Sequence, residues 1–255
     1  MSHKFSIPFA LSLISVYLNS MVNLLLFSIL SRVESVDVFA DISLLITVGS
    51  LVYGITDLGM VRLALQVEHQ SPLDKGRLIK NKVKNIIFLR AFIGLIVSML
   101  VYTAVLVFTD IDRDLVYMMM FLFFIPILFY QSIVSITVAF KGFKVAAKTS
   151  IVRVVLFSLS LLIYYILPIN KETIDILFLY FFSTFFSLLV LILRNVESGF
   201  DFYGVKQVKK YYKTASFFIL ISISENIFHW FDSLVVYYLL SKNEYVEYMY
   251  SLRVY

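Results

Sequence analysis

Seven apolar stretches, each close to the ~20 residues that cross a hydrocarbon core, constrain this chain more than any other feature. They cover residues 7–30, 42–65, 86–108, 115–140, 149–167, 174–193 and 214–240, and a partial eighth starts at 245. Backbone polar groups inside a bilayer must find partners within their own segment, so stretches of this kind fold as helices. The expected fold is an all-α polytopic transmembrane bundle. Composition agrees: 60% of residues are hydrophobic and 15% charged, against about 45–50% and about 25% in soluble domains. Pro126, inside the fourth stretch, is expected to kink its helix. Pro8 falls where a first helical turn tolerates proline, and Pro168 closes the fifth stretch.

Lysine and arginine set the orientation. Fourteen fall on one side: Lys4; Lys75, Arg77, Lys80, Lys82 and Lys84; Lys141, Lys144 and Lys148; Arg194, Lys206, Lys209, Lys210 and Lys213. The other side holds four, Arg32, Arg113, Lys171 and Lys242. The first side, with the N-terminus, is therefore expected in the cytoplasm. The net charge of +5 then reflects loops at a membrane surface rather than a face for nucleic acid. The outer loops are expected to be short, about eleven, six and six residues, which leaves no room for an external domain. The start MSHKFSIPFALSLISV is basic, but its apolar run is too long for a signal peptide, so it is expected to stay as the first span.

A repeat suggests the domain plan. Shifted back by 210 residues without a gap, Ser222, Leu234, Leu240, Ser241, Glu244 and Val246 meet Ser12, Leu24, Leu30, Ser31, Glu34 and Val36. The polar stripe Ser222, Glu225, His229 and Ser233 lies opposite Ser12, Ser15, Asn19 and Asn23. This predicts an N-terminal lobe over 1–196, a basic linker over 197–213 and the start of a second lobe over 214–255, cut short at Tyr255.

Polar residues inside apolar spans are the candidate functional groups, because ionisable side chains at membrane depth usually face a bundle interior or a watery path. Glu225, His229 and Asp232 are spaced four and three apart and share one helical face. They read as a coupling site for H⁺ or Na⁺, with a structural ion pair or interhelical glue as the alternative. Asp57, between Gly54 and Gly59 in YGITDLGM, faces either a cavity or a neighbouring helix. Ser12, Ser15, Asn19 and Asn23 line a cavity or bond between helices. Arg62, Arg90 and Arg153 stand near the cytoplasmic ends of spans two, three and five. They suit capture of a diphosphate or acidic sugar, or they snorkel to headgroups and enforce topology.

Several activities lack their signatures. The chain has no cysteine, no P-loop, no HExxH and no Gly-x-Ser-x-Gly, so thiolate chemistry, nucleotide-driven transport and the common hydrolytic centres find no residues here. Short outer loops argue against a membrane glycan polymerase or ligase.

Three stretches give the chain a family likeness: LLLFSILSRVESVDVFADISLLITVGSLVYGITDLGM, VAFKGFKVAAKTSIVRVV, and YYKTASFFILISISENIFHWFDSLVVYYLLSKNEYVEYMYSLRVY. In these it resembles the polysaccharide (O-antigen) flippases of the multidrug/oligosaccharidyl-lipid/polysaccharide exporter superfamily. The resemblance implies two pseudo-symmetric bundles around a central cavity, typically of twelve or fourteen spans, in a bacterial inner membrane. It implies a transporter rather than an enzyme, with no cofactor. The cargo would be an undecaprenyl-diphosphate-linked oligosaccharide moved to the periplasmic leaflet and driven by H⁺ or Na⁺. Membrane lipids and other polysaccharide-assembly proteins would be its partners. On that reading Arg62, Arg90, Arg153, Asn19 and Asn23 meet substrate, and Glu225, Asp232, His229 and Asp57 handle the ion. Alternatives are a drug or small-cation exporter of the same superfamily and a non-transporting remnant or assembly subunit.

Overall fold

The computed structural model describes residues 3–57, 76–141, 143–166, 172–195, 220–221, 224 and 231–254, with side chains over a narrower set that leaves out Ser12, Ser15 and Asp57. All regular structure among them is helical: α1 (His3–Val33), α2 (Val36–Asp57), α3 (Gly76–Phe108), α4 (Arg113–Met118), a π-helical segment (Met119–Phe124), α5 (Ile125–Lys141), α6 (Phe143–Ile166) and α7 (Thr173–Asn195). Residues 231–239 form α8, and Lys242–Val254 form α9.

Five stretches among the described residues are long and apolar enough to cross a membrane: Val36–Gly54, Arg90–Phe108, Arg113–Val134, Lys144–Ile166 and Thr173–Leu193. They coincide with five of the expected spans. Of the first, Tyr17–Val33 is a shorter apolar helical stretch. Most of 214–230 lies outside the described residues.

The helices share an apolar core that also takes in polar side chains, and they turn large apolar side chains outward. Helix α7 buries Tyr180, Ser183, Thr184 and Ser187 and exposes Phe178, Phe182, Phe185, Phe186 and Leu193. Helix α6 buries Ser150, Arg153, Phe157, Leu161 and Tyr164 at three- and four-residue spacing, and exposes Ile151, Val155, Leu159, Leu162 and Ile163. Helix α3 buries Arg90 and Ser98 but presents Phe92, Ile96 and Leu100. Exposed apolar area this extensive needs a lipid or protein cover. Buried hydroxyls bond back to their own helices, as expected where water is excluded. Thr47 donates to the Ser43 carbonyl at 2.9 Å, Ser132 to Leu128 at 2.7 Å and Ser187 to Ser183 at 2.6 Å.

Helix α1 packs mainly on α6, and α6 on α7. The π segment and α5 run through the middle and touch α2, α3, α6 and α7. Pro126 explains the π segment. Its ring would clash with the carbonyl four residues back and it has no N–H to donate. The turn before it widens instead, and the Ile125 N–H reaches the Met120 carbonyl, five residues back. This aims Phe123 and Phe124 into the core, where Phe123 stacks on Tyr180 at 4.9 Å.

Two corrections concern the turns. The first outer connection is not eleven residues long: the helix breaks only at 34–35, and Val36–Asp41 already belong to α2. The Ser35 hydroxyl caps α2 by accepting the Val38 N–H at 3.4 Å, so the helix starts earlier than hydropathy alone indicates. The repeat offset also changes. Helix α8 breaks at 240–241, Ser241 accepts the Glu244 N–H at 3.4 Å, and α9 starts at 242. Every one of these features lies 206 residues from its partner in the first hairpin, one helical turn from the ungapped offset of 210. Phe39 and Ala40 then match Tyr245 and Val246, and all four are buried.

Candidate functional site

Arg153 sits on the inner face of α6, ten residues from the helix start, ~15 Å along the axis. That is deeper than a span beginning at 149 would place it. Arg153 is 1% exposed, and its guanidinium donates to neutral groups. Nε donates to Thr184 Oγ1 at 3.2 Å, Nη1 to Asn19 Oδ1 at 3.1 Å, and Nη2 to the Tyr180 hydroxyl. It also lies over the rings of Tyr130 and Tyr180, at 5.0 and 4.9 Å from their centroids. Among the described residues no carboxylate pairs with it. A buried cation held only by dipoles and π faces is costly. A group of this kind is suited to receive an anion.

The network continues to a cavity. The Tyr180 hydroxyl donates to Asn23 Oδ1 at 3.3 Å, and Asn19 Nδ2 donates to Ser150 Oγ at 3.1 Å. Asn23 lines a cavity of about 260 Å³ between α1, α2, the π segment and α5. Phe27, Phe123, Phe124 and Ile127 form its apolar walls, and Asn23, Ser50, Tyr53 and Gln131 supply polar groups. Gly49 is required there, since a Cβ would come within 2.7 Å of the Phe124 ring and 3.0 Å of the Tyr102 hydroxyl. On the α2 side Arg90, fully buried, lies 4.6 Å over the Tyr53 ring. Arg90 thus stands directly behind the cavity-lining Tyr53, and Arg153 reaches the lining residue Asn23 through Tyr180.

The structure therefore brings together Arg153, Asn19 and Asn23, and sets Arg90 behind the same cavity. Neither arginine snorkels to the surface. Arg62, Glu225 and His229 lie outside the described residues, as does the Asp57 side chain, although its backbone ends α2. Asp232 is exposed and does not line the cavity. Its Oδ2 accepts from the Tyr248 hydroxyl at 2.6 Å, and its Oδ1 from the Ser233 N–H at 2.8 Å, so it braces α8 against α9. Among the described residues no cluster of three or more His, Cys, Asp or Glu offers a metal site.

Sequence reasoning missed Tyr130, Tyr180 and Thr184. The signal was available: Tyr180, Ser183, Thr184 and Ser187 form a polar stripe on an otherwise aromatic helix. It also missed Asp41, which receives the Tyr237 hydroxyl at 2.7 Å and Lys242 Nζ at 2.8 Å.

Fold and site together define a class: an all-α protein with several membrane-length helices and a buried cationic network beside a partly open cavity. Comparison with protein-family models, with curated proteins and with solved structures finds no match.

Proposed function

We propose that this chain acts in a bacterial inner membrane, N-terminus inside, in moving an undecaprenyl-diphosphate-linked oligosaccharide from the cytoplasmic to the periplasmic leaflet, coupled to an H⁺ or Na⁺ gradient. The observation that carries the reading is the buried Arg153 guanidinium, held by neutral partners one hydrogen-bond relay away from the cavity. A diphosphate supplies the negative charge that such a group lacks. At roughly 30 Å³ per water, 260 Å³ has room for a headgroup fragment and not for a whole oligosaccharide. Transport on this reading needs the cavity to widen. Ion coupling would fall to Glu225, His229, Asp57 or Asp232. Asp232 is the weakest of these, because Tyr248 and Ser233 already occupy both its oxygens.

The test is surface polysaccharide in cells that depend on this protein. Arg153→Ala and Arg90→Ala, accumulated at wild-type level, are expected to abolish it. Wild-type polysaccharide from both variants would contradict the reading. A small-cation exporter is disfavoured, since no carboxylate among the described residues lines the cavity; drug-efflux assays separate the two.

A further inference from the structure

Helix α2 packs against α9, its counterpart at the 206-residue offset, at the end of the bundle that carries the turns at 34–35 and 240–241. One polar cluster crosses this junction. Asp41 on α2 takes Lys242 Nζ on both oxygens, at 2.8 and 3.0 Å, and the Tyr237 hydroxyl of α8 at 2.7 Å. The Asp41 side chain is 13% exposed and that of Lys242 41%, so the pair sits at the rim of the helical packing, where water can take over its hydrogen bonds when it opens. Beneath it Phe39 of α2 stacks on Tyr250 of α9 at 5.6 Å, and Tyr237 meets the edge of Tyr245 at 5.0 Å. The second hairpin is braced internally, by Tyr248 on Asp232 and by Glu244 on Ser241. Below the junction, α2 contributes Gly49, Ser50 and Tyr53 to the cavity wall.

We propose that Asp41, Lys242 and Tyr237 form a releasable latch that holds the 231–254 hairpin onto α2 and keeps the cavity closed from that end of the bundle. Its purpose rests on the transport reading above, in which the cavity must open to the outer side. A rim ion pair suits the role because its net strength is small and water replaces it readily, whereas the aromatic contacts beneath it re-form the closed arrangement without further polar partners.

The test uses the absence of cysteine from the chain. A single reporter, Ser50→Cys, is placed in the cavity wall, and its labelling by a membrane-impermeant maleimide added outside intact cells is timed. Asp41→Asn and Lys242→Gln are each expected to speed labelling by about three- to tenfold. The charge swap Asp41→Lys with Lys242→Asp should bring it back toward the reporter alone. Unchanged rates in the single variants, or a swap that labels as fast as they do, would overturn the latch. Should the single variants fail to accumulate, Tyr237→Phe removes one hydrogen bond and keeps the ion pair; it must still speed labelling, and no change overturns the proposal. The readout is independent of cargo. A protein that exports no polysaccharide but gives this pattern sinks the transport reading alone, and one that exports polysaccharide with flat labelling rates sinks the latch alone.

Discussion

Arg153 donates to the hydroxyl of Tyr180, and that hydroxyl donates onward to Asn23 in the cavity wall. The relay joins a buried charge on α6 to an open space bounded by α1 and α2, through a residue of α7. Its parts come from three helices that have no reason to meet polar side chain to polar side chain in lipid unless the interior needs them.

Replacing Tyr180 by Phe separates packing from polarity. The ring contacts with Phe123 at 4.9 Å and Phe157 at 5.7 Å survive, while Arg153 Nη2 and Asn23 Oδ1 each lose a partner. The expected cost is about 1–3 kcal/mol, read as a lower thermal midpoint in detergent, together with reduced transport. A variant as stable and active as wild type would show that the relay has no role.

Arg153→Lys and Arg153→Met probe the charge from two sides. Lysine keeps the charge but cannot donate along three directions at once, so it is expected to retain part of the activity. Methionine removes a costly buried ion and can be neutral in stability despite three orphaned partners, yet transport should be lost. Comparing thermal midpoints with export rates distinguishes a binding role from a structural one, in which both fall together.

Gly49→Ala tests the cavity wall. The added methyl would meet Phe124 at 2.7 Å and the Tyr102 hydroxyl at 3.0 Å, and that hydroxyl is fixed by its bond to the Leu45 carbonyl at 3.1 Å. Overpacking of this kind costs typically about 1–3 kcal/mol. Lower stability and slower export are expected, and a Phe124→Leu partner change should recover part of the loss.

The turn at 240–241 gives a pH prediction. Ser241 donates its hydroxyl at 2.7 Å and its N–H at 3.0 Å to Glu244, and these bonds hold the carboxyl below its ordinary range. A group with a lowered folded pKa stabilises above its unfolded value and loses that contribution as pH falls through the folded one. Protection factors at the start of α9, which remove the intrinsic pH dependence of amide exchange, should therefore fall in acid, below the usual carboxylate range, and Glu244→Ala should remove the step. Protection that is flat with pH in the wild type would contradict the cap.

Much of the fold was legible because hydropathy and length decide membrane-length helices almost alone. Five spans fell where expected on that basis. Turn positions were less legible, since the Ser35 and Ser241 caps override the hydropathy boundary and moved the repeat to an offset of 206. In sequence, that offset sets Glu225 and His229 opposite Asn19, which accepts from Arg153, and Asn23, which accepts from Tyr180. The site was half legible. Arg90, Arg153, Asn19 and Asn23 stood out as polar groups in apolar spans, but their meeting depends on which faces of α1, α6 and α7 pack together. Tyr130 and Tyr180 were hidden because a tyrosine in an aromatic-rich chain carries no signal until its hydroxyl finds a partner.

The most direct measurement is binding of undecaprenyl diphosphate to the purified protein in lipid nanodiscs, wild type against Arg153→Ala, with undecaprenol as the uncharged control. A charge-assisted contact contributes about 1.5–3 kcal/mol, so the variant should bind roughly ten- to a hundredfold more weakly, and the wild type should favour the diphosphate over the alcohol. Equal binding by both proteins, or no preference for the charged lipid, would contradict the account.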